Sequence, residues 1–327
     1  MGASRYVLGV DGGQSYTTAA ICDLTGRLLG LGRAGPSNHV WEPGGAARVR
    51  RAVTQSIARA QRAAGLPPMR FEAAFLGMTG ATRQTLRAVR QCVRARRFRL
   101  ENDKVSALAC VTAGRPGVVA IAGTGTIIHG QNRRGETADA SGWGYLIGDE
   151  GSAFWIAKQA LAAASRAYDG RGPGTSLVQA LTAAAGVEHL WDLHRLIYSG
   201  RISRAEMAGL AVAVNAAASA GDAAALRILR EAGRELGLAV GVVARRLRMH
   251  RGATTVGMVG GVFQGSASVR NSFRREVRRH VPKAVFALPR FAPVFGCVLL
   301  ALRMVGSRIT PAVMRNLEAA SAAAGRK

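Results

Sequence analysis

The chain has 327 residues, 48% apolar and 20% charged, long enough at roughly 100–200 residues per domain for two domains with sizeable cores, which excludes wholesale disorder. Its formal net charge is +26, carried almost wholly by arginines spread from Arg5 to Arg326 rather than gathered in a tail, and aromatics are only 6%. The four cysteines, Cys22, Cys92, Cys110 and Cys297, form no CxxC pair and exclude a zinc ribbon, and no apolar run reaches the roughly 18 residues of a membrane span.

Tyr6 to Val10 reads as a strand ending at Asp11, Thr17 to Cys22 as a second and Arg27 to Arg33 as a third, an antiparallel meander. A helix opens at Pro43-Gly44-Gly45 and runs to about Ala64, where Gly65-Leu66-Pro67-Pro68 stops it. Glu72 to Gly77 reads as a strand, Thr82 to Arg97 as a basic helix, and Phe98 to Glu101 as a short strand. After Asn102-Asp103 a helix follows to about Thr112, and Ala113 to Gly117 (AGRPG) reads as a boundary. Domains of 1–114 and 115–327 follow.

The opening pattern then recurs, with strand Val118 to Ala122, a turn at Gly123-Thr124-Gly125-Thr126, and a returning strand Ile127 to Gln131. From about Asp149 to His250 the chain reads as mainly helical, with Gly170, Gly186, Gly200 and Gly221 as caps. Thr254 to Val259 is a strand, Gly260-Gly261 a turn, and Ser266 to His280 an Arg-rich helix. Ala284 to Leu288 is a last strand, and Pro293 and Pro311 open two terminal helices.

Three stretches can carry chemistry. A strand ending in Asp11 and turning through Gly12, Gly13, Gln14 and Ser15 exposes backbone amides that suit phosphate oxygens, and its carboxylate suits Mg²⁺, directly or through water. Gly123 to Thr126 offers a second anion cradle, although neither GxGxxG nor a Walker A lysine is present. Gly142 to Ser152 (GWGYLIGDEGS) places Asp149 and Glu150 at the start of a helix, where they also suit its dipole.

In this order the motifs resemble the acetate and sugar kinase, Hsp70 and actin superfamily. Within it they resemble the N-acetylglucosamine kinase branch of the BadF/BadG/BcrA/BcrD ATPase family. The resemblance runs from about Tyr6 to about Leu300 on DGGQS (Asp11 to Ser15), SNH (Ser37 to His39), ND (Asn102-Asp103), GTGT (Gly123 to Thr126), GWGYLIGDEGSAFWIA (Gly142 to Ala157) and VGGVF (Val259 to Phe263). It implies an α/β fold of two ribonuclease H-like, actin-like ATPase domains with a central cleft, the C-terminal one helix-rich. It implies ATP and Mg²⁺, with Asp11 to Ser15 as the first phosphate loop and Gly123, Thr124 and Gly125 as the second. Gly260, Gly261 and Gln264 would belong to the adenosine motif. Asp103 would be the catalytic base. Asn38, Thr126, Gly142, Trp143, Gly144 and Asp149 would meet the sugar together with Asp103.

Two residues depart from the family pattern: Ile127 removes an amide that could touch the sugar, and Gln14 narrows the first loop. The implied activity is phosphorylation of an amino sugar at its 6-hydroxyl, most simply N-acetylglucosamine. Glucosamine, N-acetylmuramic acid or another sugar, and a BadF-type ATPase that activates a redox partner, are the alternatives. The expected partner is the small-molecule sugar, in the cytoplasm and without a membrane. A homodimer is compatible with the family, and nucleic acid is not expected despite the charge.

Overall fold

A computed structural model describes residues 5–37 and 40–325. Asn38 and His39 lie outside the described residues. Cα packing divides the chain into two compact units, Met1–Arg115 with Pro289–Lys327, and Pro116–Leu288.

The first unit begins with β1 (Tyr6–Gly12), β2 (Thr17–Asp23) and β3 (Leu28–Ala34), the expected meander. It continues through α1 (Gly45–Ala63), β4 (Phe71–Met78), α2 (Arg83–Val89), β5 (Ala95–Glu101) and α3 (Asp103–Thr112). Its sheet has the order β3-β2-β1-β4-β5. β4 and β5 run parallel to their neighbours, so the ends of β1 and β4 share one edge.

The basic helix expected over 82–97 is shorter. It ends at Val89, and Ala95 and Arg97 already pair with Phe71 and Ala73. Buried Val93 and Ala95 face the core while Arg96 and Arg97 are exposed, a pattern that fits an edge strand better than a fourth helical turn.

The second unit repeats the topology with β6 (Gly117–Ala122), β7 (Thr126–Gln131) and β8 (Thr137–Ala140), the last a strand not expected from the sequence. A helical block follows: α4 (Ala153–Tyr168), α5 (Leu177–Ala185), α6 (Leu190–Tyr198), α7 (Arg204–Gly209), α8 (Ala211–Ser219) and α9 (Ala223–Arg246). Then come β9 (Thr254–Val259), α10 (Gly261–Gly265), α11 (Ala267–His280) and β10 (Ala284–Ala287). The sheet order β10-β9-β6-β7-β8 has the connectivity of the first sheet. This is the duplicated α/β architecture expected, with the helices concentrated in the second unit.

The expected 115–327 domain is divided. α12 (Pro293–Met304) and α13 (Pro311–Ala324) belong to the first unit. Phe295, Val298, Leu299 and Leu302 of α12 are buried in one apolar cluster with Val7 of β1, Ala20 of β2 and Phe75 of β4. α3 covers only part of this apolar face of the first sheet, with Ala109 and Cys110 in the same cluster, and α12 covers the rest. Cys22, Cys110 and Cys297 are buried in that cluster as free thiols, as small apolar residues. Among the described residues no single helix is long and apolar enough to cross a membrane.

Candidate functional site

In the first unit the end of β1 carries Asp11. The neighbouring β4 ends one residue before Thr79, whose amide donates to the Gly12 carbonyl at 2.9 Å and ties the two strand ends together. α3 starts across this edge. Asn102, not Asp103, is its N-cap, accepting from the Lys104 amide at 3.2 Å. Asp103 is therefore spared capping duty, and its Oδ2 accepts a 2.6 Å hydrogen bond from the Thr79 hydroxyl. Sequence reasoning missed Thr79, because only the parallel pairing of β4 with β1 brings it to this edge.

The two carboxylates share one poorly solvated neighbourhood. Burial, with the nearby Asp103 charge as the smaller cause, pushes Asp11 up to about 7. Burial also raises Asp103, against the opposing hydrogen bonds from Thr79 and the backbone. Lys104 lends a nearby positive charge to Asp103, and two acids set close together and largely out of water gain further from a cationic ligand. The donor set fits Mg²⁺, which takes one or two carboxylates and completes its shell with water and phosphate oxygens. Among the described residues no cluster of three or more His, Cys, Asp or Glu could hold a metal alone.

The turn after Asp11 closes with Gly13 N–H donating to the Tyr16 carbonyl at 3.0 Å, leaving Gln14 and Ser15 exposed. A Cβ on Gly12 would lie 2.5 Å from Ser37 Oγ, a buried hydroxyl with no partner among the described residues.

In the second unit the turn after β6 is equally tight. Gly123 N–H donates to the Gly125 carbonyl at 3.0 Å, and the Ala153 amide at the start of α4 donates to the Gly123 carbonyl at 2.9 Å. Beside it is a recess of about 450 Å³, within the usual range for small-molecule sites. Gly123, Thr124, Gly261 and Ser266 line one part, and Ala208, Val212 and Asn215 of α7 and α8 another. A phosphate-sized turn opening into a mostly apolar recess with few polar groups suits a nucleotide. The α7–α8 wall was not legible as a site, since Ala-rich helices read as packing.

Gly260 is fixed by its surroundings. Its φ is +105°, and a Cβ there would lie 2.2 Å from the Ala122 carbonyl oxygen at the end of β6. Gly260→Ala is expected to cost about 3 kcal/mol or more and to weaken nucleotide binding with it. Thermal melting with and without ATP measures this, and an unchanged midpoint would rule out the packing argument.

The remaining sequence-derived residues separate into those that converge and those that do not. Gln264 is exposed and does not line the recess. Thr126 is buried, and its hydroxyl is engaged at 3.0 Å by Ser141 Oγ and at 3.4 Å by the Glu150 carbonyl, so it braces the turn. Gly142 packs on Ile127, whose Cδ1 would lie 3.1 Å from a Cβ there. Gly144 follows in the same loop, and Trp143 is 75% exposed. Asp149 and Glu150 do not start α4; Ser152 caps it, accepting from Trp155 N at 3.1 Å. Asp149 is instead buried, at φ +59°, with its Oδ2 held at 3.1 Å by Arg204, another residue the sequence did not single out.

A family model described as the BadF/BadG/BcrA/BcrD ATPase family matches residues 8–301. An N-acetylmuramic acid/N-acetylglucosamine kinase from Clostridium acetobutylicum is 32% identical over 91% of this chain and 98% of its own. An N-acetyl-D-glucosamine kinase from Dictyostelium discoideum is 27% identical over 90% and 97%. Among solved structures, a Chromobacterium violaceum protein assigned as an N-acetylglucosamine kinase superposes with a TM-score of 0.73 at 28% identity, covering 91% of this chain and 99% of that one.

Proposed function

The chain belongs to the BadF/BadG/BcrA/BcrD ATPase family, and from that premise we propose that it is an ATP-dependent amino-sugar kinase, transferring the γ-phosphoryl group of ATP to the 6-hydroxyl of N-acetylglucosamine. The observation that carries this reading is the half-buried carboxylate pair, Asp11 and Asp103, with Thr79 fixing one oxygen of Asp103.

Phosphoryl transfer asks little covalent work of the protein; it needs positioned phosphates, balanced charge and an oriented nucleophile. In this reading the recess beside Gly123 to Gly125 seats the nucleotide, and Asp149 accepts from sugar hydroxyls. Asp103 takes the proton of the attacking hydroxyl. The sugar oxygen forms its bond to the γ-phosphorus, the bond to the bridging oxygen of ADP breaks, and the proton stays on the Asp103 carboxylate until solvent removes it. Because Thr79 occupies Oδ2, the proton is received by Oδ1. Asp11 would hold Mg²⁺, directly or through water. The ion supplies charge neutralisation for the phosphates when bound.

A second acceptor, N-acetylmuramic acid, is favoured by the Clostridium relative, whose name covers both sugars. An activator-type ATPase is the weaker reading. It would need thiols presented to a cluster, whereas Cys22, Cys110 and Cys297 are buried in the core.

The test is ADP release from Mg-ATP against N-acetylglucosamine, N-acetylmuramic acid, glucosamine, N-acetylmannosamine, glucose and no sugar. Release that depends on an acetylated amino sugar, with the phosphate located at carbon 6 by NMR, is the expected result. Release without sugar would transfer the chain to the activator class.

A further inference from the structure

Arg204 is the first residue of α7, and its backbone is fixed by a capping box. The Ser203 hydroxyl accepts from the Glu206 amide at 3.2 Å, while Glu206 accepts from the Ser203 amide at 2.8 Å. Its guanidinium is held on two sides. Nη2 donates to Asp149 Oδ2 at 3.1 Å, and the group lies 4.9 Å over the Tyr145 ring. Tyr145 in turn sits edge-on to Phe154 of α4, with centroids 4.9 Å apart. Nε of Arg204 is buried without a partner among the described residues. A guanidinium that leaves a buried donor unmatched is being held for its other contacts.

Asp149 explains which contact. It is a non-glycine residue at φ +59° with only 3% of its surface exposed. A left-handed backbone and a nearly dry carboxylate are both costly unless the surroundings fix them. Among the described residues Arg204 is the sole hydrogen-bond donor to the Asp149 side chain, and it takes Oδ2, leaving Oδ1 without a protein donor. The pair also rests on the second turn. A Cβ on Gly125 would lie 2.8 Å from Asp149 Oδ2 and 3.0 Å from Arg204 Nη2, so only glycine lets the turn backbone approach. Further along α7, Ala205, Ala208 and Gly209 line the recess.

We propose that Arg204 is a positioning residue for sugar recognition: it clamps Asp149 by Oδ2 so that Oδ1 faces the acceptor's hydroxyls, and it seats that carboxylate against the second phosphate turn. This rests on the reading of Asp149 as a sugar contact. Arg204 touches neither the proton nor the phosphoryl group in transit. Its loss therefore acts on acceptor binding and alignment rather than on the base.

The test compares Arg204→Ala, Arg204→Gln, Arg204→Lys and Asp149→Asn with the wild type, varying sugar and ATP separately. Arg204→Ala and Arg204→Gln are expected to raise the sugar KM about 10-fold to 100-fold, with the ATP KM changed by less than about twofold. Millimolar guanidinium ion is expected to restore part of the sugar KM in Arg204→Ala. A sugar KM unmoved in both variants, or sugar and ATP KM rising together without guanidinium rescue, overturns the proposal. Should Arg204→Ala fail to fold, Arg204→Lys carries the test: it keeps the charge but loses the planar fork, and an unaltered sugar KM would overturn the clamp. An unmoved sugar KM in Asp149→Asn removes the underlying assignment of Asp149 instead, and a wild type inactive toward every sugar removes the kinase reading itself.

Discussion

Asp103→Asn is expected to bind ATP and sugar much as the wild type does and to lose about 10²–10⁴-fold in kcat. The substitution is nearly isosteric, and Asn102 rather than Asp103 caps α3, so the helix start survives. The Thr79 hydroxyl, which donates at 2.6 Å, can still donate to the amide oxygen. What is lost is a basic oxygen for the acceptor proton. Initial rates with Mg-ATP and the identified sugar, beside calorimetric binding of each ligand, decide the matter. A kcat within about threefold of wild type would remove Asp103 as the base.

Asp11→Asn separates stability from activity. Burial and the Asp103 charge raise the Asp11 carboxyl from its ordinary 3.8 to about 7. The folded state thus keeps a proton that the unfolded state has already released between about pH 4 and 7. Over that window unfolding releases a proton, so this group makes the ligand-free protein less stable as pH rises, and the cost is full above about pH 7. The asparagine removes that cost. The variant is expected to melt higher than wild type at about pH 8, by roughly 2 kcal/mol after allowance for partial hydration, and to show a flatter stability profile between pH 4 and 7.

Function runs the other way. If Asp11 holds Mg²⁺ as proposed, a proton competes with the ion for that carboxylate, and the Mg²⁺ concentration for half-maximal wild-type rate is expected to rise by up to about tenfold for each pH unit below about 7. Asp11→Asn is expected to lose most turnover and most stabilisation by Mg-ATP. Melting curves with and without Mg-ATP across pH test both halves. A variant that is less stable without ligand yet still stabilised by Mg-ATP would sink the argument.

Particular residues show how far reading the chain could go. Asp11, Gly12 and Gly13 read alone as an ordinary hairpin turn as easily as a phosphate loop, and only the order of the motifs along the chain made them candidates. Asp103 by residue type reads as the cap of α3, and only the resemblance made it a candidate base; the structure gives the capping to Asn102. Thr79 was not legible: it is a common residue at a strand end, and it matters because β4 lies parallel to β1 and delivers its hydroxyl to α3. Arg204 lies 55 residues from Asp149, in a chain so rich in arginine that no single one stands out.

The sequence by itself determined the first strand meander, the β6–β7 hairpin, the helical block, the boundary near Arg115 and the turns at Gly12 and Gly123, because each is set by local pattern: apolar period, caps and glycine. Tertiary structure alone decided that α12 and α13 return to the first unit, that 95–97 is strand rather than helix, and that Arg204 meets Asp149. These depend on which apolar faces remain uncovered and which charges are taken out of water, and neither is defined until segments distant in the chain have packed together.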